Sequence, residues 1–478
     1  MCAVQVPRLS QGPDAPDAGK RPWWRSLLLL VLLLLSIATY ILLTGAAPER
    51  DGLITPFLQV WMICFVPYFA ACAFILATRP LAGRWYWVEL GLILGGALIF
   101  RAMLLPLPPE LSHDSWRYLW DARVTLHGYS PYVYVPDSKI FLPLRDFIYD
   151  NSGFHHVPTI YPPGAQAIYI LSYLIAPSNL FLLKGIFVGF DMVTCGALIV
   201  LLKRKGLDPR RVILYAWCPL PIVEFAIQGH VDVITLTFTV LAVLSATSNI
   251  RGGRVLTGFL IGLGTLTKIY PILLLALVLR RRDWLLLATC IATIALGYIP
   301  YLILGHGHVF GYFSIYANEQ GQNAGVIQLF VQWFGTTLHL PAPTIILLEH
   351  VAALLAVTIV LLLVLVLRLR ERISIEVGTL SLISLALAIS AHVFPWYTTA
   401  LLPWVAVLIG PLWTRKGVNG KGIAVAMAWY FPCTSWYGYF FNNVRDWSPY
   451  YHVVYDVVMV GLGMAATVGI VKLVIARR

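Results

Sequence analysis

The chain has 478 residues, 59% of them hydrophobic and only 12% charged. So little charge cannot cover the surface of a water-soluble protein of this size, which excludes a soluble globular enzyme. The net charge of +12 does not point to nucleic acid either. Lys and Arg fall in short clusters between apolar runs, not along one phosphate-tracking surface.

In chain order, residues 1–24 carry Pro, Asp and Gly without periodicity and read as a disordered cytoplasmic tail; residues 25–478 read as one transmembrane domain. A bilayer span needs about 20 apolar residues. The runs at 26–46, 54–78 and 86–105 meet that length, and the first is too long for a cleaved signal peptide. The segment 106–177 is long, polar-aromatic and rich in Pro, Tyr, Asp and His, and a loop of that length is usually functional. Within it, 165–176 is apolar but too short to cross, as in an interfacial or re-entrant helix. Further spans are expected at 178–202, 211–228 and 231–249, the last two joined by a tight turn at Gly229–His230.

The run 255–279 is flanked by basic clusters on both sides, Arg251/Arg254 and Arg280–Arg282. A single span would put one cluster outside. A helical hairpin broken at Thr267-Lys268-Ile269-Tyr270-Pro271 keeps both inside, with proline supplying the break. Spans at 284–304, 343–367, 374–391, 396–412, 423–440 and 453–476 complete the reading. The expected fold is therefore all-α and polytopic, with about 12 full spans plus the broken hairpin. Both termini are cytoplasmic and the 106–177 loop faces outside. None of the seven cysteines shows C-x-x-C spacing, so neither a disulfide framework nor a zinc site is expected.

Five constellations could carry chemistry. In 112–134, Asp114, Arg117, Tyr118 and Asp121 share one face if the segment is helical. A carboxylate there could act as general base; the alternative is an interfacial helix with a salt bridge. Tyr161-Pro162-Pro163 fixes an extended backbone ahead of a helix. His230 and Asp232, at the tight turn, could hold a phosphate or a metal, although two ligands are too few to claim a metal site. Lys268 at the hairpin break could neutralise a phosphate, or merely snorkel. His392, Trp396 and Tyr397 would suit sugar stacking or an interfacial aromatic belt. Asp191 and Glu224, acids in mid-span, read as interhelical hydrogen-bonding groups outside the site.

Taken together, these motifs resemble a known family. The series Asp114…Arg117-Tyr118-Leu119-Trp120-Asp121…Gly128…Ser130-Pro131-Tyr132, then Pro158-Thr159-Ile160-Tyr161-Pro162-Pro163…Gln166, is similar to bacterial polyprenol-phosphate-mannose-dependent mannosyltransferases of the GT-C superfamily. Gly229-His230-x-Asp232, the Thr267–Pro271 hairpin and Pro395-Trp396-Tyr397 follow the same pattern. The resemblance implies a GT-C-like glycosyltransferase domain in the plasma membrane. Its donor would be a sugar on polyprenyl phosphate, its acceptor a hydroxyl of a glycan, glycolipid or other molecule, and the transfer inverting. It implies Asp114 as general base, with Asp121 second. Lys268, assisted by Arg117 or His230, would bind the donor phosphate. Tyr161, Asp232, Tyr270, His392, Trp396 and Tyr397 would form the sugar and acceptor pocket. No cofactor is expected. A divalent metal is left open, because His113-Asp114 replaces the more acidic pair of the superfamily and a monophosphate donor does not require one. The competing readings are a flippase or transporter of a lipid-linked sugar, and a GT-C enzyme using another sugar such as an aminosugar.

Overall fold

The computed structural model describes residues 23–46, 54–81, 83–316, 319, 323–441 and 446–475. Most of the expected tail, 1–24, lies outside the described residues; Trp23 and Trp24 open the first helix instead. Helices α1 (Trp23–Gly45), α2 (Ile54–Ala77) and α3 (Arg84–Leu104) follow the first three apolar runs, and α1 packs on both others.

The 106–177 segment is not a loose loop. It holds α4 (Asp114–Leu126), a 3-10 turn at Lys139–Leu144, α5 (Phe147–Asn151) and α6 (Pro163–Ile175). At 13 residues α6 is about 20 Å long, too short to cross a bilayer alone, as its sequence implied. Two arginines of α4 tie the segment together. Arg123 pairs with Asp146 at 2.6 Å and donates to the Leu144 carbonyl at 2.7 Å and the Tyr173 hydroxyl at 3.0 Å. Arg117 donates to the carbonyls of Phe154 (2.7 Å) and Val157 (2.9 Å). Such carbonyls would otherwise need water.

Next come α7 (Leu180–Arg204), α8 (Ile213–Ala216), α9 (Pro219–Ala226), α10 (Asp232–Ala246), α11 (Gly253–Thr265), α12 (Leu275–Val278) and α13 (Trp284–Leu304). The expected hairpin is present. After Thr265 the helix breaks, the chain returns through a 3-10 turn at Tyr270–Leu274, and Arg254 Nη2 donates to the Val278 carbonyl at 2.7 Å, so its two ends lie side by side. Small residues let α11 approach α13 closely: a Cβ on Gly262 would lie 2.7 Å from Thr293 Cβ.

The chain continues with α14 (Phe313–Tyr316), α15 (Val326–Thr337), α16 (Ala342–Leu369), α17 (Ile375–Ile389), α18 (Pro395–Thr398), α19 (Leu402–Leu408) and α20 (Gly420–Ser435), and ends in a helical span over Ser448–Lys472. Trp413–Thr414 pairs antiparallel with Gly417–Val418, a two-residue ladder inside the basic Arg415–Lys421 loop that the all-α reading did not include.

Not every one of the expected twelve spans is a single long helix. Among the described residues, seven helices are long and apolar enough to cross: α1, α2, α3, α7, α13, α16 and Ser448–Lys472. The segment 211–228 is divided into α8 and α9 because Pro219 holds Cys218 extended and starts a new helix. The segment 396–412 is helical only through 395–408, with a 3-10 turn at Thr399–Leu401, and α10 and α17 are 15 residues each. These shorter pieces surround the densest burial, where Trp217, Leu220, Val223, Leu402 and Trp404 are 0–1% exposed. Short, broken helices fit where protein rather than lipid receives the freed backbone groups.

Candidate functional site

The site forms where the N-terminus of α4, the turn before α10, the hairpin tip and the N-terminus of α18 meet. Two backbone features bring them together. The Leu266 carbonyl, at the end of α11, accepts from the Gly164 and Ala165 amides at 2.8 and 3.2 Å. This docks the first turn of α6, set by Pro162 and Pro163, on the hairpin tip, and with it Tyr161. Gly229 adopts φ +69°, a left-handed turn natural only to glycine. A Cβ there would stand 2.9 Å from Lys184 Cγ and 3.2 Å from Ser115 Cβ. Glycine thus lets the turn lie directly against α4 and presents His230 to Asp114.

Asp114 is the first residue of α4, with its side chain 14% exposed. Tyr161 donates to its Oδ2 at 3.1 Å, and His230 Nδ1 lies 3.7 Å from the same oxygen. Burial pushes the carboxyl up to about 6; the Tyr161 bond and the Lys268 charge pull against this, while Asp232 adds to it. An acid poised there is ionised at neutral pH yet basic enough to accept a proton. Tyr161 itself is supported by the hydroxyl of Tyr118 at 3.2 Å, and its carbonyl accepts from Tyr132 at 2.7 Å. Burial and the Asp114 charge hold the Tyr161 phenol protonated, its pKa well above the ordinary value.

Lys268 reaches the same region from the hairpin tip. It forms an ion pair with Asp232, the first residue of α10, and its ammonium lies 3.2 Å from the centre of the Tyr397 ring. The lysine side chain stays 28% exposed. Thr267, next to it, shares a hydroxyl hydrogen bond with Thr235 at 2.7 Å, which anchors the tip to α10. Tyr270 opens the 3-10 turn that follows the tip.

His230 is fully buried. Its ring stacks on Trp396 with centroids 3.7 Å apart and planes 11° from parallel. The other face of Trp396 is covered by Phe394 at 4.6 Å. With both faces occupied, Trp396 cannot offer one to a sugar, and its place in the expected pocket is corrected to that of a clamp on His230. His392 lies further along, 3.0 Å from Glu319 and tilted against Tyr316, whose hydroxyl bonds that of Tyr397 at 2.9 Å.

Two expected site residues face elsewhere. Arg117 Nε bonds Asp121 Oδ1 at 2.8 Å and its remaining nitrogens take loop carbonyls, while Gln166 donates to Asp121 Oδ2 at 3.2 Å. Both are at most 5% exposed along the side chain. This pair holds α4 to the 153–157 loop and to α6, which leaves neither a spare base nor a free phosphate-binding cation. Sequence reasoning in turn set aside Glu224. Its Oε2 lies 3.3 Å from His230 Nε2, and both its oxygens accept from Tyr439. The signal was the left-handed Gly229, which folds His230 back until its amide bonds the Glu224 carbonyl at 3.0 Å. No local signal marks Tyr439. Among the described residues, no group of three or more His, Cys, Asp or Glu side chains is arranged to hold a metal.

Comparison with known families adds one match. The family model described as Glycosyltransferase family 87 matches residues 159–391, just under half of the chain. The matched stretch includes Tyr161, Glu224, His230, Asp232, Lys268 and His392's neighbour Ala391, and stops short of Trp396; Asp114 precedes it. No curated protein and no solved structure matches. Together with the long apolar helices, the family match indicates an integral membrane glycosyltransferase.

Proposed function

We propose that the protein transfers a sugar, mannose on the sequence resemblance, from polyprenyl phosphate to an acceptor hydroxyl on the outer face of the plasma membrane, with inversion. The observation that carries this reading is the meeting of Asp114 and Lys268. They are 154 residues apart in sequence, yet a run of contacts joins them: His230, 3.7 Å from Asp114, stacks on Trp396, which packs edge-on against Tyr397, the ring beneath the Lys268 ammonium. One supplies a base for the acceptor and the other a cation for the leaving phosphate.

In the proposed reaction the acceptor oxygen attacks the anomeric carbon as Asp114 takes its proton. The bond from that carbon to the phosphate oxygen breaks, with positive charge building on the sugar ring. Phosphate needs no protonation to leave. The charge gathering on it is stabilised by Lys268, already positioned by Asp232 and Tyr397. Tyr161 orients the Asp114 carboxylate. Tyr397, Tyr316, Asp232 and His392 line the approach; the Arg117–Asp121 pair stands behind it as support. A lipid tail is costly to expose to water, so the donor remains in the bilayer and presents only its phosphate and sugar.

The test is transfer of radiolabelled sugar to membrane extract from a panel of polyprenyl-phosphate sugars. Transfer from at least one donor, mannose first, is expected. Labelled lipid changing leaflets in reconstituted vesicles without any transfer would overturn the reading in favour of a flippase.

A further inference from the structure

Beside Asp114 lies a buried line of three groups: Asp114 Oδ2, His230 and Glu224. His230 Nδ1 faces the aspartate at 3.7 Å and Nε2 faces the glutamate at 3.3 Å. Histidine and glutamate are each 0% exposed, and neither ring nitrogen makes a hydrogen bond among the described residues, although each faces a carboxylate oxygen across a short gap. Trp396 fixes the plane of the ring, and Tyr439, from the segment after α20, fixes the carboxyl of Glu224. The ring is therefore held by one face, with a carboxylate opposite each nitrogen. The catalytic step proposed above uses Asp114 and Lys268 and leaves this arrangement without a task.

We propose that Glu224 and His230 are positioning residues for Asp114: the pair shares one proton between Oε2 and Nε2, so that Nδ1 carries its hydrogen toward Asp114 Oδ2. This inference rests on the glycosyl-transfer reading. The physical argument concerns charge. A buried glutamate facing only a hydroxyl and an imidazole is costly as a bare anion, and a buried imidazole with two empty edges is costly as well. One proton between them satisfies both. Whether that proton sits on Oε2 or on Nε2, the second imidazole hydrogen is on Nδ1. Histidine's two nitrogens are distinct in this way: the partner of one determines the state of the other.

An Nδ1–H donor then supports the ionised form of Asp114, the form a base requires. Closing the 3.7 Å gap to hydrogen-bond length takes a shift of about 0.5–0.8 Å. The donor sits on the oxygen that also accepts from Tyr161, which leaves Oδ1 for the acceptor hydroxyl. Without Glu224 the imidazole hydrogen is free to move to Nε2, and a bare nitrogen lone pair would then face a carboxylate oxygen. That arrangement repels the charged base.

The experiment uses the full-length protein in detergent or nanodiscs, labelled with 15N-histidine. His230→Asn assigns the His230 resonances, and transfer is measured on the same preparations. The expected result is an Nδ1–H imidazole in the wild type. Glu224→Leu should lower kcat by about tenfold or more with the donor KM unchanged. Glu224→Gln, whose amide can still donate to Nε2, should restore most of the rate. The Glu224→Leu/His230→Asn double variant should be no slower than His230→Asn alone, because the two act as one unit. An Nε2–H imidazole in the wild type, an unchanged kcat in Glu224→Leu, or a double variant slowed by the product of the single effects would overturn the proposal. If Glu224→Leu does not fold, the wild-type tautomer and Tyr439→Phe, expected to slow kcat in the same direction by less, still decide it. Absence of transfer by the wild type from every donor would sink the function reading, while the tautomer would still be read.

Discussion

Buried charges occur in two very different settings in this molecule. In the helical core, acids and arginines are matched. Arg101 meets Asp191 at 2.6 Å and gives hydrogen bonds to the carbonyls of Ala97 and Ala216, and Tyr215 donates to the same aspartate. Arg210 meets Glu89 at 2.5 Å and Asp208 at 2.7 Å. At the candidate site the balance is reversed. Asp114, Asp232 and Glu224 share one lysine and one histidine, and the lysine is already paired with Asp232. The first arrangement links helices; the second leaves a carboxyl pushed up to about 6. Matched charges hold the fold, and unmatched ones are available for proton transfer and for an incoming phosphate.

The sharpest way to break this comparison is to remove one charge from each setting. Arg101→Leu strands Asp191 in a fully buried position and should destabilise the protein by about 3–5 kcal/mol, read as a large loss of thermal stability in detergent. Lys268→Met also removes a partner, that of Asp232, but from a pair that is partly exposed, so it should cost less thermal stability than Arg101→Leu while lowering transfer by about 10²–10³-fold. If the two variants traded phenotypes, the division between structural and functional charge would fail.

Asp114→Asn should do something a structural residue does not, which is to stabilise the protein as it inactivates it. The carboxyl ionises near 3.8 in an unfolded chain and near 6 in the fold. The folded state therefore binds the extra proton between those values. Stability from this group is full below the lower value, is lost as pH rises through 6, and leaves a penalty of about 3 kcal/mol above it. The neutral amide avoids that penalty. Thermal melts should show the variant more stable than wild type at pH 7.5 and no more stable below pH ~4. A smaller effect is expected from Tyr161→Phe. Loss of its hydrogen bond raises the Asp114 carboxyl further, so the acidic limb of the transfer rate should move to higher pH with the plateau still reached.

Much of this was legible in the sequence. The basic clusters around 255–279 required a hairpin, and Arg254 bonding the Val278 carbonyl closes it. Asp114, His230, Asp232, Lys268 and Tyr161, named from four separate motifs, come together in space. Other features were not legible, for identifiable reasons. Helical spacing put Asp114 and Asp121 on one face of α4, but spacing does not say that Arg117 and Gln166 occupy Asp121. Glu224 sits in an apolar run and read as interhelical hydrogen-bonding, because its proximity to His230 depends on one left-handed glycine. Hydropathy does not register that Pro219 interrupts a run or that α10 and α17 stop at 15 residues, so several expected spans are not single long helices.

The central claim is that Asp114 is the base. It is tested most directly by measuring kcat for transfer from the polyprenyl-phosphate sugar against pH, in wild type and Asp114→Asn, with donor binding measured separately. The account predicts a wild-type rate that rises through pH ~6 to a plateau, and a variant that binds donor normally but transfers about 10²–10⁴-fold more slowly. A variant that keeps the wild-type rate and pH profile would contradict it.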